Sequence, residues 1–284
     1  MTVLLKVCGA TSRDDIALLA AAGTDLIGLW HGVTGGRADL PAARLTALAH
    51  TCRTLNREQR EGTAPTPPPE GREAAAVRAA PAPREERGGA ARTPPAVWGG
   101  PARGARTGVV SPEPVMVTFL RDPAAILGAA RAAGVRWLQL HGYQPPAVVA
   151  ALKRGQPGVV VVKVVHVTGD ACVERPLLAS YERAGTDLFL FDAATAQGRI
   201  GSTGLALDAG VVSGLAGAIT RPFLLAGGIS AAARPRYRKV AAHPRFAGVD
   251  VDTGARDAAG AFCPASVRGI RENWRTAPGT GEGV

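Results

Sequence analysis

Cysteine is scarce in this chain: Cys8, Cys52, Cys172 and Cys263 are the four in 284 residues. They stand far apart, with no CxxC pair and no cysteine-histidine spacing of a zinc site, which argues against a disulfide framework and a structural metal. Aromatic residues make up 5% and offer few stacking platforms, while the cations behind the net charge of +10 are mostly arginines dispersed beside acids. Without a dense basic run, nucleic-acid binding is not expected, and a basic pocket for an anionic small molecule is the more economical reading. There is no run of about 18 apolar residues and no basic stretch leading into an apolar core and cleavage site. No membrane partner is expected, and a reducing, cytoplasmic location is.

What is present is one alternation, repeated. A short apolar or β-branched run is followed by a polar or glycine turn and then by an alanine- and leucine-rich segment of helical length. Eight such runs can be marked: Val3 to Cys8, Asp25 to Trp30, Val115 to Leu120, Arg136 to Leu140, Val159 to Val165, Asp187 to Phe191, Pro222 to Ala226 and Ala247 to Val251. The helices predicted after them are Ser12 to Ala22, Pro41 to Arg53, Asp122 to Ala133, Pro145 to Arg154, Ala171 to Arg183, Leu207 to Ala218, Ser230 to Ala241 and Pro264 to Trp274. Ser12 before Asp14 and Asp15, and Asp122 before Pro123, are helix starts; Gly23, Gly134 and Gly185 are helix stops.

Eight βα units without a dinucleotide fingerprint predict an α/β fold of one kind, a single (β/α)8 TIM barrel with a parallel eight-stranded sheet, spanning 1–284. Between the second helix and the third strand, from about Thr54 to Pro112, the periodicity collapses into Pro, Ala, Gly, Arg and Glu, as in Pro65-Thr66-Pro67-Pro68-Pro69. By composition residues 54–112 are a disordered insertion, a long loop that loop-closure entropy tolerates.

In such a barrel the working groups sit at the C-terminal ends of the strands. The first strand ends in Cys8-Gly9, and alternation places Lys6 on the same face as Cys8, where an ammonium is expected to favour the thiolate. The alternative reading of Cys8 is a small buried hydrophobe. The sixth strand ends at Asp192, across the mouth. The turns Ala226-Gly227-Gly228 and Asp252-Thr253-Gly254 are where barrels commonly hold phosphate. Barrel closure brings the eighth strand beside the first, so Asp250 and Lys6 are predicted to form a buried pair.

These motifs, Lys6-Val7-Cys8-Gly9, Gln139-Leu140-His141-Gly142, Asp192 with Gly201-Ser202-Thr203-Gly204, Ala226-Gly227-Gly228-Ile229 and Gly248-Val249-Asp250-Val251-Asp252-Thr253-Gly254, resemble in content and order those of the phosphoribosylanthranilate isomerase family of tryptophan biosynthesis. The resemblance implies an Amadori rearrangement of N-(5-phosphoribosyl)anthranilate with no metal and no other cofactor, by a monomer or homodimer. It implies Asp192 as general acid and Cys8 as general base, and Arg37 as the grip on the anthranilate carboxylate. It places Gly227, Gly228, Asp252, Thr253 and Gly254 in phosphate loops and Gly204 in a loop that closes over the site. His141 and Gln139 are read as structural.

The chain also departs from the family. Trp30-His31-Gly32-Val33-Thr34-Gly35-Gly36-Arg37 replaces an aromatic followed by Ser-Pro-Arg, Asp252-Thr253 replaces two serines, and Arg199 adds a cation near the site. Asp252 would repel a phosphate unless turned away or paired. A paralogue acting on a related phosphoribosyl amine, or a non-catalytic phosphosugar-binding barrel, are the alternatives.

Overall fold

The apolar runs are buried on both faces, as strands of a parallel sheet must be when helices cover it. A computed structural model describes residues 3–61, 111–197, 200–201 and 203–275. In it β1 (Leu4–Cys8), β2 (Leu26–Trp30), β3 (Glu113–Thr118), β4 (Trp137–Leu140), β5 (Val160–Thr168), β7 (Leu188–Ala193), β8 (Phe223–Leu225) and β9 (Phe246–Val251) run parallel. Their order is β4-β3-β2-β1-β9-β8-β7-β5, and the β4–β5 pairing closes the circle. This is the expected eight-stranded (β/α)8 barrel. The two-residue strand β6 (Ala171–Cys172) is an antiparallel appendage folded back on the end of β5.

Alternation divides the side chains of each strand. Leu26, Val115, Trp137, Val162, Val164, Leu188, Leu190 and Leu224 fill the barrel interior. Leu5, Val7, Ile27, Leu29, Met116, Val161 and Phe189 point outward into the larger core beneath the helices. The helices are α1 (Arg13–Ala21), α2 (Ala42–Glu61), α3 (Pro123–Ala133), α4 (Pro146–Gly155), α5 (Leu178–Ala184), α6 (Ala209–Gly217), α7 (Arg238–Ala241) and α8 (Pro264–Arg275). Ser12 and Asp15 form a reciprocal capping box at α1, and Asp122 caps α3 with proline in its first turn. No helix among the described residues is long and apolar enough to cross a membrane.

Two predicted helices differ. In place of Ala171 to Arg183 the chain forms β6, a 3₁₀ turn at Arg175–Leu177 and the short α5. The cause is tertiary: Glu174 is drawn inward, its carboxylate accepting from the His166 ring at 2.8 Å and the His166 backbone N–H at 3.1 Å, with Lys163 Nζ at 3.4 Å. Burial pushes the Lys163 ammonium down to about 8. In place of Ser230 to Ala241 there is a 3₁₀ segment, Ala231–Tyr237, before the one-turn α7, because Pro235 cannot donate within an α-helix. Helix α2 continues to Glu61, past the boundary read from composition; the rest of the expected insertion, to residue 110, lies outside the described residues.

Candidate active site

The C-terminal ends of the strands open into a cavity of about 510 Å³ lined by, among others, Cys8, Arg37, His141, Asp192, Gly204, Gly227, Gly228, Asp250, Asp252 and Thr253. Leu4, Lys6 and Cys8 share the inward face of β1, so Lys6 lies one layer below the thiol and inside the barrel. Its Nζ is 2.6 Å from Cys8 Sγ and 3.0 Å from both carboxylate oxygens of Asp250, which faces it directly in the β1–β9 register. The expected Lys6–Asp250 pair is therefore present, with Lys6 fully buried. Gly28 on β2 makes room for it: a Cβ there would lie 2.5 Å from Cys8 Sγ and 3.2 Å from Lys6 Nζ.

The electrostatic expectation for the thiol needs correction. Lys6 does favour the thiolate, but burial and the Asp250 carboxylate, 3.7 Å from Sγ, outweigh it and push the Cys8 thiol well above its ordinary value. Burial by itself would lower Lys6; Asp250 and Cys8 reverse that and hold the ammonium charged. Burial raises Asp250 against the pull of Lys6. The resting arrangement is thus a thiol beside a lysine-aspartate ion pair.

Across the cavity Asp192 is the next-to-last residue of β7, with its Oδ1 accepting from the Ala193 N–H at 2.8 Å. His141, at the end of β4, places Nε2 3.4 Å from Asp192 Oδ2, within ion-pair range but without hydrogen-bond alignment. The Gln139 amide lies 3.1 Å from His141 Nδ1. With that amide donating to Nδ1, the ring proton sits on Nε2, on the side of Asp192. His141 thus makes a structural contact of the kind read for it, with Gln139, and its ring also lines the cavity.

At the rim, Gly227 and Gly228 take left-handed conformations (φ 78° and 61°) and pass so close to the β7–α6 loop that a Cβ would meet Leu205 O at 2.7 Å and Ala206 Cα at 3.0 Å. Their backbone consequently lines the cavity. Thr253 and Gly204 line it too, whereas Gly254 is not among the lining residues. Thr203 Oγ1 donates to Ala193 O at 3.1 Å and ties the loop bearing Gly204 to the end of β7. Asp252 is paired: Arg37 Nη2 is 2.6 Å from each of its oxygens and Arg256 Nε 2.9 Å from Oδ1. Arg199 lies outside the described residues. Among the described residues no group of three or more His, Cys, Asp or Glu side chains could hold a metal ion.

Sequence reading missed Gly28 and Arg256, although both left a signal. A glycine inside the strand Leu26-Ile27-Gly28-Leu29-Trp30 marks a close approach, and an arginine four residues after Asp252 marks a pair.

Fold and site together define the class, a (β/α)8-barrel protein with a thiol and carboxylates converging on a cavity at the C-terminal mouth. The family model described as N-(5'phosphoribosyl)anthranilate (PRA) isomerase matches residues 101–261, more than half of the sequence, and the chain belongs to that family. It is 33% identical over 116 residues to the N-(5'-phosphoribosyl)anthranilate isomerase of Methanocella arvoryzae, covering 41% of this chain and 52% of that protein. It is 30% identical over 148 residues to N-(5'-phosphoribosyl)anthranilate isomerase 2 of Methanosarcina mazei, covering 52% and 63%. The matches thus span about half to just under two thirds of these curated relatives. The crystal structure of phosphoribosyl anthranilate isomerase from Thermus thermophilus shares the fold, with a TM-score of 0.61 at 20% identity over 95% of this chain and 98% of that one.

Proposed function

We propose that this protein isomerises N-(5-phosphoribosyl)anthranilate to 1-(2-carboxyphenylamino)-1-deoxyribulose 5-phosphate. The observation that carries the reading is the convergence of Cys8 and Asp192, from opposite sides of the barrel, on one cavity walled by the Gly227-Gly228 turn. Family membership supplies the substrate.

Asp192 gives its proton to the ribose ring oxygen as the C1′–O bond breaks, leaving a Schiff-base cation between C1′ and the anthranilate nitrogen. Cys8, as thiolate, takes the proton from C2′, and the electrons of that C–H bond form the enolamine, which tautomerises to the ketone. Asp192 ends one proton short and Cys8 one proton richer; return of that proton to Asp192 through solvent resets the pair, and the isomerisation consumes no net proton. A thiolate beside the ion pair of Lys6 and Asp250 is costly in the resting site, and the Schiff-base cation is the charge that offsets it in the reacting one. The backbone of Gly227 and Gly228 with Thr253 takes the phosphate, Arg37 the anthranilate carboxylate, and the loop bearing Gly204 covers the sugar.

The test is turnover of freshly prepared N-(5-phosphoribosyl)anthranilate, followed by loss of anthranilate fluorescence. Wild type is expected to turn over, with Cys8→Ser and Asp192→Asn each slower by at least about a hundredfold. Folded wild-type protein without turnover overturns the assignment. Phosphate-ester binding without turnover would mark a phosphosugar-binding barrel instead.

A further inference from the structure

We propose that Asp252 is a positioning residue that holds the Arg37 guanidinium over the cavity, so that recognition of the substrate's carboxylate depends on this aspartate. The inference rests on the isomerase reading and deepens it. Arg37 sits on the β2–α2 loop directly after Gly35 and Gly36, and its side chain is 45% exposed. A long, half-exposed side chain on a glycine-rich loop has little packing to select one rotamer. What selects it is Asp252, 11% exposed, whose two oxygens both lie 2.6 Å from the single nitrogen Nη2. The N–H groups of Nη1 and Nε make no bond to described residues and remain for an incoming anion.

Asp252 can serve as an anchor because it is itself fixed. Arg256 Nε binds Oδ1 at 2.9 Å, while Arg256 Nη1 donates to Gly260 O at 2.9 Å and Nη2 to Gly9 O at 3.0 Å. The Arg256 guanidinium also lies 3.8 Å from the centre of the Phe262 ring. Order passes from Phe262 and Gly260 through Arg256 and Asp252 to Arg37, and ends on a loop that has little of its own. Charge is arranged to suit. Among the described residues two guanidiniums, those of Arg37 and Arg256, flank this carboxylate, so its charge is offset and does not repel an anionic ligand.

The test compares two ligands that differ only by the carboxylate: the product, 1-(2-carboxyphenylamino)-1-deoxyribulose 5-phosphate, and its phenylamino counterpart. Dissociation constants are measured by calorimetry for wild type, Asp252→Asn and Asp252→Glu, with thermal melts to verify folding. Asp252→Asn is expected to weaken the carboxylated ligand about tenfold and leave the phenylamino ligand unchanged, with Asp252→Glu recovering part of the loss. In an Arg37→Ala background the same substitution is expected to have no further effect. Equal weakening of both ligands would place Asp252 in phosphate binding and overturn the inference, as would no weakening of either. If wild type turns substrate over while Asp252→Asn binds normally, the inference fails and the isomerase reading stands. If wild type binds neither ligand, both fail.

Discussion

Lys6 and Asp250 face each other on the first and last strands of the barrel, with the lysine nitrogen 3.0 Å from both carboxylate oxygens, Lys6 fully buried and Asp250 buried at the floor of the cavity. Removing one partner of such a pair leaves a buried, uncompensated charge. Asp250→Asn is expected to destabilise the protein by about 3–5 kcal/mol, read from chemical denaturation. The substitution also removes a carboxylate that opposes ionisation of Cys8. Alkylation of Cys8 by a small haloacetamide at fixed pH is therefore expected to be faster in the folded variant. A variant as stable as wild type would show that the pair contributes nothing to the fold.

Gly28 is the second point where the thiol's surroundings are exacting. In Gly28→Ala the new methyl group would begin 2.5 Å from Cys8 Sγ, a separation that unbonded atoms do not adopt. Overpacking of this kind costs about 1–3 kcal/mol. Since the thiol is what must move, kcat is expected to fall by at least about tenfold while KM stays near wild type. Unchanged kcat would show that Sγ has freedom the geometry denies it.

The pH dependence of the thiol follows from its surroundings. Burial and Asp250 oppose loss of the Cys8 proton and outweigh Lys6, so the folded thiol ionises above its ordinary value of 9.0. Alkylation of Cys8 by a small haloacetamide, followed against pH in the folded protein, is therefore expected to rise with pH and to reach its midpoint above 9.0. A midpoint below 9.0 would mean that Lys6 dominates the thiol after all.

The barrel was legible because every βα unit has its own apolar strand run, and units such as those of α1 and α3 add a capped helix start and a glycine just past the helix. That Cys8, Asp192, Gly227 and Gly228 would meet at one cavity was legible for a related reason, since the barrel gathers the C-terminal ends of its strands at one mouth. The Ala171–Leu177 stretch was not, because its shape is set by His166 and Lys163, which reach Glu174 across the end of β5. Nor was the state of the Cys8 thiol, which depends on how Asp250 shares Lys6 and how dry the pocket is. Local pattern carries elements and ends of elements; sums of charge and burial over distant segments are not written in any one of them.

The ion pair that seats the thiol joins residues 244 positions apart, at the two ends of the strand order along the chain. During synthesis from the N-terminus, β1 exists long before its partner, and Lys6 must stay hydrated until Asp250 has been made. In a chain that lacks β9 the Lys6 ammonium has no Asp250 carboxylate to meet, and burying it there carries the cost of an unpaired charge. The contact that seats the thiol is thus tied to the completed barrel: the full setting of Cys8, with Lys6 held by Asp250, exists only once β9 lies beside β1.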